Sequence, residues 1–298
     1  MGNAWVFPGQ GSQKAGMQAA VLDLPGARER FAAASELLGR DLRAICAGEA
    51  GEGSGPDDLN DTRNTQPALF VIESLLVDAL KARGQSADLV AGHSLGELVA
   101  LYAAEVFDAS TGLALMRRRS DLMAAAGGGA MSALMGFDRG QLEDLVSGTA
   151  DVVIANDNSS GQVVISGSPE AVEAVSRQLR CKRAVPLAVS GAFHSPFMEA
   201  AAEAFAAELD QVTFADAVIP VLSNTDPTPE TGGEALKSRL RQQMTHGVRW
   251  RESMEALEAA EITTCLEIGP GTVLSGLLKR SCPAITTSRI AGATDLGL

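Results

Sequence analysis

One stretch constrains the fold of this chain more than any other: ADLVAGHSLGELVALYAAEV, residues 87–106. Its first half is a short apolar run that predicts a buried strand, and its second half predicts a helix. Ser94 stands where the two meet, with Gly92 and Gly96 two residues away on either side. A serine at a sharp turn between strand and helix, flanked by glycines in this way, is typical of a nucleophile elbow.

The remaining pattern predicts two α/β units. The segment TTCLEIGPGTVLSGLLKR, residues 263–280, predicts a strand, a glycine turn and a helix that complete a parallel sheet shared with the elbow. A strand is also expected at 218–222. Over residues 130–189 the predicted order of elements changes to β-α-β-β-α-β, with a last strand at 184–189. This order is typical of a ferredoxin-like unit. We therefore expect a large subdomain formed by 1–126 and 196–298, and an inserted small subdomain at 127–195.

Charge and composition exclude several function classes. The chain has 298 residues, of which 24 are Lys or Arg and 37 are Asp or Glu, giving a net charge of −13. Such a chain repels nucleic acid and anionic membranes. The opening MGNAWVFPGQ has no basic, apolar leader pattern, and no apolar run is long enough to span a membrane, so we expect a cytoplasmic protein. The four widely spaced cysteines predict reduced thiols and no metal site.

A serine nucleophile needs a base, and the chain offers three histidines. His93 adjoins the serine on the turn, where neighbouring side chains point apart. His194, in VSGAFHSPFM, follows the last strand of the small unit, where the chain returns to the large one. This position at an interdomain crevice favours His194 as the base, while His246 in QMTHGVRW remains the alternative.

No acidic third residue is evident. Asp151 and Asp157 precede His194 in chain order, but both lie within the inserted unit. A histidine oriented by a carbonyl group would serve equally well, because the third member of a triad mainly fixes the tautomer and the ring orientation. The sequence thus favours a serine–histidine dyad over a lipase-type triad.

Two further features fit acyl chemistry. The backbone amide of Leu95 is placed by elbow geometry to stabilise an oxyanion, and the early loop PGQGSQ is the best source of a second amide. The run MRRRS contains three consecutive arginines, Arg117 to Arg119, on the helix after the elbow helix. Because successive helical residues point about 100° apart, one can face inward, where it would select an acyl group carrying a free carboxylate. We expect the other two arginines to lie on a solvated helix face, which is also the alternative for the third.

Seven segments resemble the malonyl-CoA:acyl carrier protein transacylases, in the order seen in that family: VFPGQGSQ, TQPAL, GHSLGE, the arginine helix, GAFHSPFM, VRW and EIGPG. The resemblance extends from about Ala4 to Cys282. It implies an α/β-hydrolase-like large subdomain with a parallel sheet plus an inserted ferredoxin-like small subdomain. It also implies transfer of a malonyl group from malonyl-CoA to the phosphopantetheine thiol of acyl carrier protein, in fatty acid synthesis.

The same resemblance implies residue roles. Ser94 would carry the malonyl group as an ester, His194 would be its base, and the carbonyl of Gln243 would orient the histidine. The backbone N–H groups of Gln10 and Leu95 would form the oxyanion hole.

Arg119, also by resemblance, would bind the malonyl carboxylate. No metal or bound cofactor is implied, since malonyl-CoA and the phosphopantetheinylated carrier protein are substrates. We expect a monomer. One departure from the family pattern is Gly247, which stands where proline usually precedes V-x-W.

Three alternatives remain at this point. A serine hydrolase or thioesterase would differ in admitting water to the acyl-enzyme. A related acyltransferase could serve polyketide synthases or malonate decarboxylase. A non-catalytic scaffold could retain the fold, although Ser94, His194 and Arg119 together speak against it.

Overall fold

The computed structural model describes residues 2–48, 57–189 and 191–298. The strands are β1 Gly2–Phe7, β2 Leu89–Gly92, β3 Ala130–Phe137, β4 Val152–Ser159, β5 Gln162–Gly167, β6 Cys181–Pro186, β7 Val221–Leu222, β8 Ile262–Ile268 and β9 Thr286–Ile290. The helices are α1 Ala27–Leu38, α2 Leu42–Ala47, α3 Thr62–Lys81, α4 Gly96–Ala103, α5 Ala109–Ala125, α6 Arg139–Ser147, α7 Pro169–Gln178, α8 Glu199–Asp210, α9 Gly233–Gln242, α10 Trp250–Ala259 and α11 Val273–Ser281. Within these ranges, no helix is both long and apolar enough to cross a membrane.

The larger sheet is parallel and places the functional loops side by side. Its strand order is β7-β2-β1-β8-β9. Phe7, the last residue of β1, pairs with Gly92, the last residue of β2. The loop after β1 and the turn after β2 therefore leave the sheet at the same edge, the carboxyl edge at which ligands of open α/β sheets bind. Buried side chains cover both faces, which accounts for the continuous apolar runs of β1 and β2.

The smaller sheet is antiparallel, in the order β4-β5-β3-β6. Helices α6 and α7 supply its own core, in which Leu142 and Val175 pack against Leu134 and Ile165. Asp138 and Ser168 cap the two helices: each side chain accepts a hydrogen bond from the backbone N–H three residues later. The predicted fold class, a parallel α/β unit with a ferredoxin-like companion, is confirmed.

Backbone hydrogen bonds join the small sheet to the large unit. The N–H of Asp157 donates to the carbonyl of Val248 at 2.9 Å, and the N–H of Val248 donates to the carbonyl of Ala155 at 2.8 Å. The Asp157 carboxylate lies between two guanidinium groups, at 2.7 Å from Arg139 and 3.1 Å from Arg251. Arg139 belongs to α6 and Arg251 to α10, so this carboxylate bridges the two units.

Strands at sheet edges differ most from the sequence expectation. The strand expected at 184–189 lies at Cys181–Pro186 instead, because β6 is an edge strand whose exposed Lys182 and Arg183 conceal it from an apolar pattern. The strand expected at 218–222 is reduced to the two residues of β7. At the opposite edge of the larger sheet, β9 has a polar TTSRI sequence and no apolar run predicts it.

Candidate active site

Ser94 lies in the sharp turn between β2 and α4. Its φ is 55°, a left-handed conformation that costs a non-glycine residue about 1–3 kcal/mol and is common at functional sites. A Cβ added to Gly92 would lie 1.9 Å from the carbonyl carbon of Gly96, and one added to Gly96 would lie 2.3 Å from the Phe7 carbonyl oxygen. Both glycines are therefore required, as the strand–turn–helix interpretation predicts.

Asn224, which follows β7, holds this turn in place. Its Oδ1 accepts a hydrogen bond from the backbone N–H of Ser94 at 2.7 Å, and its Nδ2 donates to the carbonyl of Gly92 at 2.6 Å. The backbone N–H of Asn224 donates in turn to Glu97 Oε2 at 3.1 Å. These contacts offset the strain of the left-handed serine.

The loop after β1 lies against the elbow. The backbone N–H of His93 donates to the Phe7 carbonyl at 2.9 Å, and a Cβ on Gly9 would lie 2.7 Å from the His93 carbonyl oxygen. Gln10 and Leu95 both line the cavity at Ser94. The backbone N–H groups of these two residues have no hydrogen-bond partner within the described residues, which is the state an oxyanion hole requires.

His194 contacts the serine directly. Its Nε2 lies 2.7 Å from Ser94 Oγ, and its Nδ1 lies 2.8 Å from the backbone carbonyl oxygen of Gln243. A carbonyl only accepts, so Nδ1 carries the proton and Nε2 is left to accept the serine proton. Burial, and then the charge of Arg119, lower the pKa of His194 to about 3, which keeps the imidazole neutral.

The carbonyl of Gln243 takes the place of an acidic residue. Asp151 is exposed, and the Asp157 carboxylate is engaged by two arginines, so neither contacts His194. Gly247 lets this segment approach the small sheet, since a Cβ there would lie 2.6 Å from the carbonyl oxygen of Ile154. With glycine at this position the Gln243 carbonyl still reaches the histidine.

Arg119 faces inward from α5 and is 1% exposed. Its Nη2 lies 3.2 Å from Ser94 Oγ, and its Nη1 donates to Gln66 Oε1 at 2.6 Å. Nε and Nη2 donate to Gln243 Oε1 at 3.1 and 2.8 Å. Burial lowers the pKa of Arg119 to about 10, so the group remains a cation at neutral pH.

The two other arginines of the run point outward. Arg117 pairs with Asp121 at 3.6 Å, and Arg118 pairs with Glu208 at 2.9 Å. The inward arginine and the solvated pair are thus both present on one helix, as the 100° spacing allows.

A cavity of about 90 Å³ joins these groups. Apolar side chains from both units form the rest of its wall: Met123, Met131, Leu187, Val189 and Phe193. Its size suits a short acyl group. A cation at one side, a serine hydroxyl and two unpaired amides equip it to bind a carboxylated acyl group and to stabilise negative charge on its carbonyl oxygen.

The other two histidines lie outside this arrangement. His93 Nε2 is 2.8 Å from Asn158 Oδ1, and its ring packs on Trp250. His246 is hydrogen-bonded to Thr245 and to the carbonyl of Gln242, and it does not line the cavity. In the described part of the chain, no group of three or more His, Cys, Asp and Glu side chains could hold a metal ion.

Sequence reasoning missed three residues that contact the site: Gln66, Glu97 and Asn224. The first two lie inside the TQPAL and GHSLGE segments, so the motifs themselves were the available signal. Asn224 follows a strand of only two residues, and its side chain crosses to an elbow 130 residues earlier in the chain. No local pattern indicates that contact.

Comparison with known proteins gives one consistent result. The family described as "Acyl transferase domain" matches residues 4–295. The malonyl CoA-acyl carrier protein transacylase of Synechocystis sp. is 50% identical over 296 residues, covering 99% of both chains. The crystal structure of a Synechocystis sp. malonyl-CoA:ACP transacylase superposes with a TM-score of 0.95 at 49% identity, covering 100% of this chain and 99% of that one.

A solved complex is also similar. It contains a type II polyketide synthase acyl carrier protein with its malonyl-transacylase, and it superposes with a TM-score of 0.89 at 36% identity. The superposition covers 99% of this chain and 98% of the matched chain.

Proposed function

The chain belongs to the acyl transferase domain family, and we propose that it transfers a malonyl group from malonyl-CoA to the phosphopantetheine thiol of acyl carrier protein, in fatty acid synthesis. It is an acyltransferase, and relatives 50% and 40% identical to it are named malonyl CoA-acyl carrier protein transacylase. The observation that carries the proposal is the contact between the buried Arg119 guanidinium and the Oγ of Ser94. A cation beside the acylated oxygen selects an acyl group with a free carboxylate.

Acylation begins with a neutral His194. Ser94 Oγ attacks the thioester carbonyl carbon while its proton moves to His194 Nε2. The carbonyl oxygen becomes an oxyanion and takes hydrogen bonds from the backbone N–H groups of Gln10 and Leu95. The C–S bond then breaks, the coenzyme A thiolate takes the proton from His194, and malonyl remains as an ester on Ser94.

Transfer to the carrier reverses these roles. The phosphopantetheine thiol gives its proton to His194 Nε2 and its sulfur attacks the ester carbonyl. The ester C–O bond breaks, and the serine oxygen recovers a proton from the histidine. Two half-reactions through one acyl-enzyme predict ping-pong kinetics. Serine, histidine and backbone amides supply every step, so the proposed reaction needs neither a metal nor a bound cofactor.

We further propose that the enzyme acts as a monomer in the cytoplasm. Ser94, His194 and Arg119 of a single chain contact one another, so the proposed site is complete without a residue from a second copy. The four cysteines, Cys46, Cys181, Cys265 and Cys282, are free thiols, the state that a reducing compartment maintains.

Intact-mass spectrometry tests the proposal. After mixing with malonyl-CoA, the wild-type protein should gain the mass of one malonyl group, and the Ser94→Ala variant should gain none. Adding phosphopantetheinylated carrier protein should discharge the adduct and yield malonyl-carrier. An adduct that persists in Ser94→Ala would refute the serine intermediate, and release of free malonate at the same rate without carrier would indicate a thioesterase instead.

A further inference from the structure

Glu97 is a buried carboxylate that the steps above do not use. It lies in the first turn of α4, three residues after Ser94, and is 1% exposed. Its Oε2 accepts hydrogen bonds from Gln243 Nε2 at 2.7 Å and from the backbone N–H of Asn224 at 3.1 Å. Burying a carboxylate costs several kcal/mol unless it is well paired, so its position beside the site calls for a physical reason.

These contacts fix the orientation of the Gln243 amide. Its Nε2 has two acceptors, Glu97 Oε2 at 2.7 Å and the Ser94 carbonyl at 2.9 Å. With the nitrogen held on that side, Oε1 faces Arg119 and accepts from Nε at 3.1 Å and Nη2 at 2.8 Å. If the Gln243 amide were rotated by half a turn, its N–H groups would face the Arg119 guanidinium, which also has only donors.

Glu97 also affects the charge state of the Arg119 guanidinium. In the described part of the chain, no carboxylate lies within 4 Å of the Arg119 guanidinium, which is therefore a buried cation without a direct ion pair. Glu97 raises the pKa of Arg119 against the lowering effect of burial. Burial raises the pKa of Glu97, and hydrogen bonds from Gln243 and Asn224, together with the charge of Arg119, oppose this rise.

We propose that Glu97 is a positioning residue for acyl selection: through the Gln243 amide it holds the Arg119 guanidinium in place to receive the substrate carboxylate. This inference rests on the proposed malonyl transfer. The chain Glu97–Gln243–Arg119 leaves Nη2 of the guanidinium 3.2 Å from Ser94 Oγ, where it can donate to the carboxylate of an acylated serine. Direct contact with substrate belongs to Arg119 alone.

Glu97→Gln tests the proposal with little change of volume. The readout is the ratio of kcat/KM for malonyl-CoA to kcat/KM for acetyl-CoA, which lacks the carboxylate. We expect this ratio to fall about tenfold, the effect of weakening one hydrogen-bond link to a charged group, with acetyl transfer little changed. Glu97→Leu, which removes both acceptor contacts, should lower the ratio further.

The matched control is Glu73→Gln. Glu73, on α3, is also wholly buried, has no hydrogen-bond partner among the described residues and does not line the cavity, so this variant should keep the wild-type ratio. An unchanged ratio in Glu97→Gln would overturn the role of Glu97, as would equal losses for both substrates with a lower melting temperature. If the wild-type protein failed to transfer malonyl at all, the proposed function itself would fall.

Discussion

Replacing Arg119 with alanine should lower the selectivity of the enzyme for malonyl-CoA over acetyl-CoA. The guanidinium is 1% exposed and lies 3.2 Å from Ser94 Oγ, so a carboxylate that reaches it has lost its water. Removing one partner of a desolvated charge pair costs about 2–5 kcal/mol. That corresponds to about a 30- to 4,000-fold loss in kcat/KM for malonyl-CoA. Acetyl-CoA brings no carboxylate, so its use should stay unchanged or improve.

The Arg119→Ala substitution should also change the stability of the fold. The substitution leaves the side-chain oxygens of Gln66 and Gln243 without their donors, at about 1–3 kcal/mol each. Relief from burying a guanidinium offsets part of this cost. The melting temperature should therefore fall moderately, without loss of the folded state.

The assay measures kcat/KM for both thioesters in wild type and Arg119→Ala, beside thermal unfolding of each protein. The outward-facing Arg118→Ala is the control and should keep the wild-type ratio. A ratio that does not move would remove Arg119 from substrate recognition. A parallel loss for both thioesters would reduce it to a structural residue.

Three further predictions concern the base, pH and carrier docking. His194→Ala should slow acylation by roughly 10²- to 10⁴-fold, whereas His246→Ala should acylate at nearly the wild-type rate. Rapid-quench measurement of the malonyl adduct distinguishes the two variants. The reverse pattern would refute the assignment of His194 as the base. Because the pKa of His194 is lowered to about 3, a pH–rate profile of acylation should lack an acid limb near pH 6.5, and such a limb would contradict a neutral buried imidazole. The sign for stability follows: the unfolded chain binds a proton that the folded one does not, so this histidine destabilises the fold progressively as the pH falls from about 6.5 to about 3. Lys182 and Arg183 are exposed on β6 and have no ion pair among the described residues. Replacing both with glutamate should therefore raise the KM for carrier protein and weaken the salt dependence of that KM. An unchanged KM would exclude this surface.

The sequence predicts the elements that local pattern controls. The elbow depends on close contacts at Gly92 and Gly96, and the two caps at Asp138 and Ser168 depend on hydrogen bonds three residues away. Each of these is a short-range interaction that the residue types alone indicate. The structure also brings Ser94, His194 and Arg119 into one cavity. Their catalytic roles remain predictions.

What could not be predicted depends on distant pairing. β6 and β9 are edge strands, where exposed side chains need no apolar alternation, so their ends are set by hydrogen bonds to the neighbouring strand. The contacts of Gln66 and Asn224 cross 53 and 130 positions of the chain. Only the folded topology places such amides beside the site. The boundaries of the inserted unit at 127–195 stay a prediction.

The hydrogen-bonded bridge between β4 and Val248 has a consequence for how such proteins can be recombined. A chimera that exchanges residues 127–195 alone would bring a foreign β4 against a resident 246–251 segment, with Ala155 and Asp157 no longer matched to Val248 and Arg251. That segment begins three residues after Gln243, whose carbonyl faces His194 at 2.8 Å. The transferable unit is therefore discontinuous. A graft must carry residues 127–195 together with the 246–251 segment in order to preserve the alignment of Ser94 and His194.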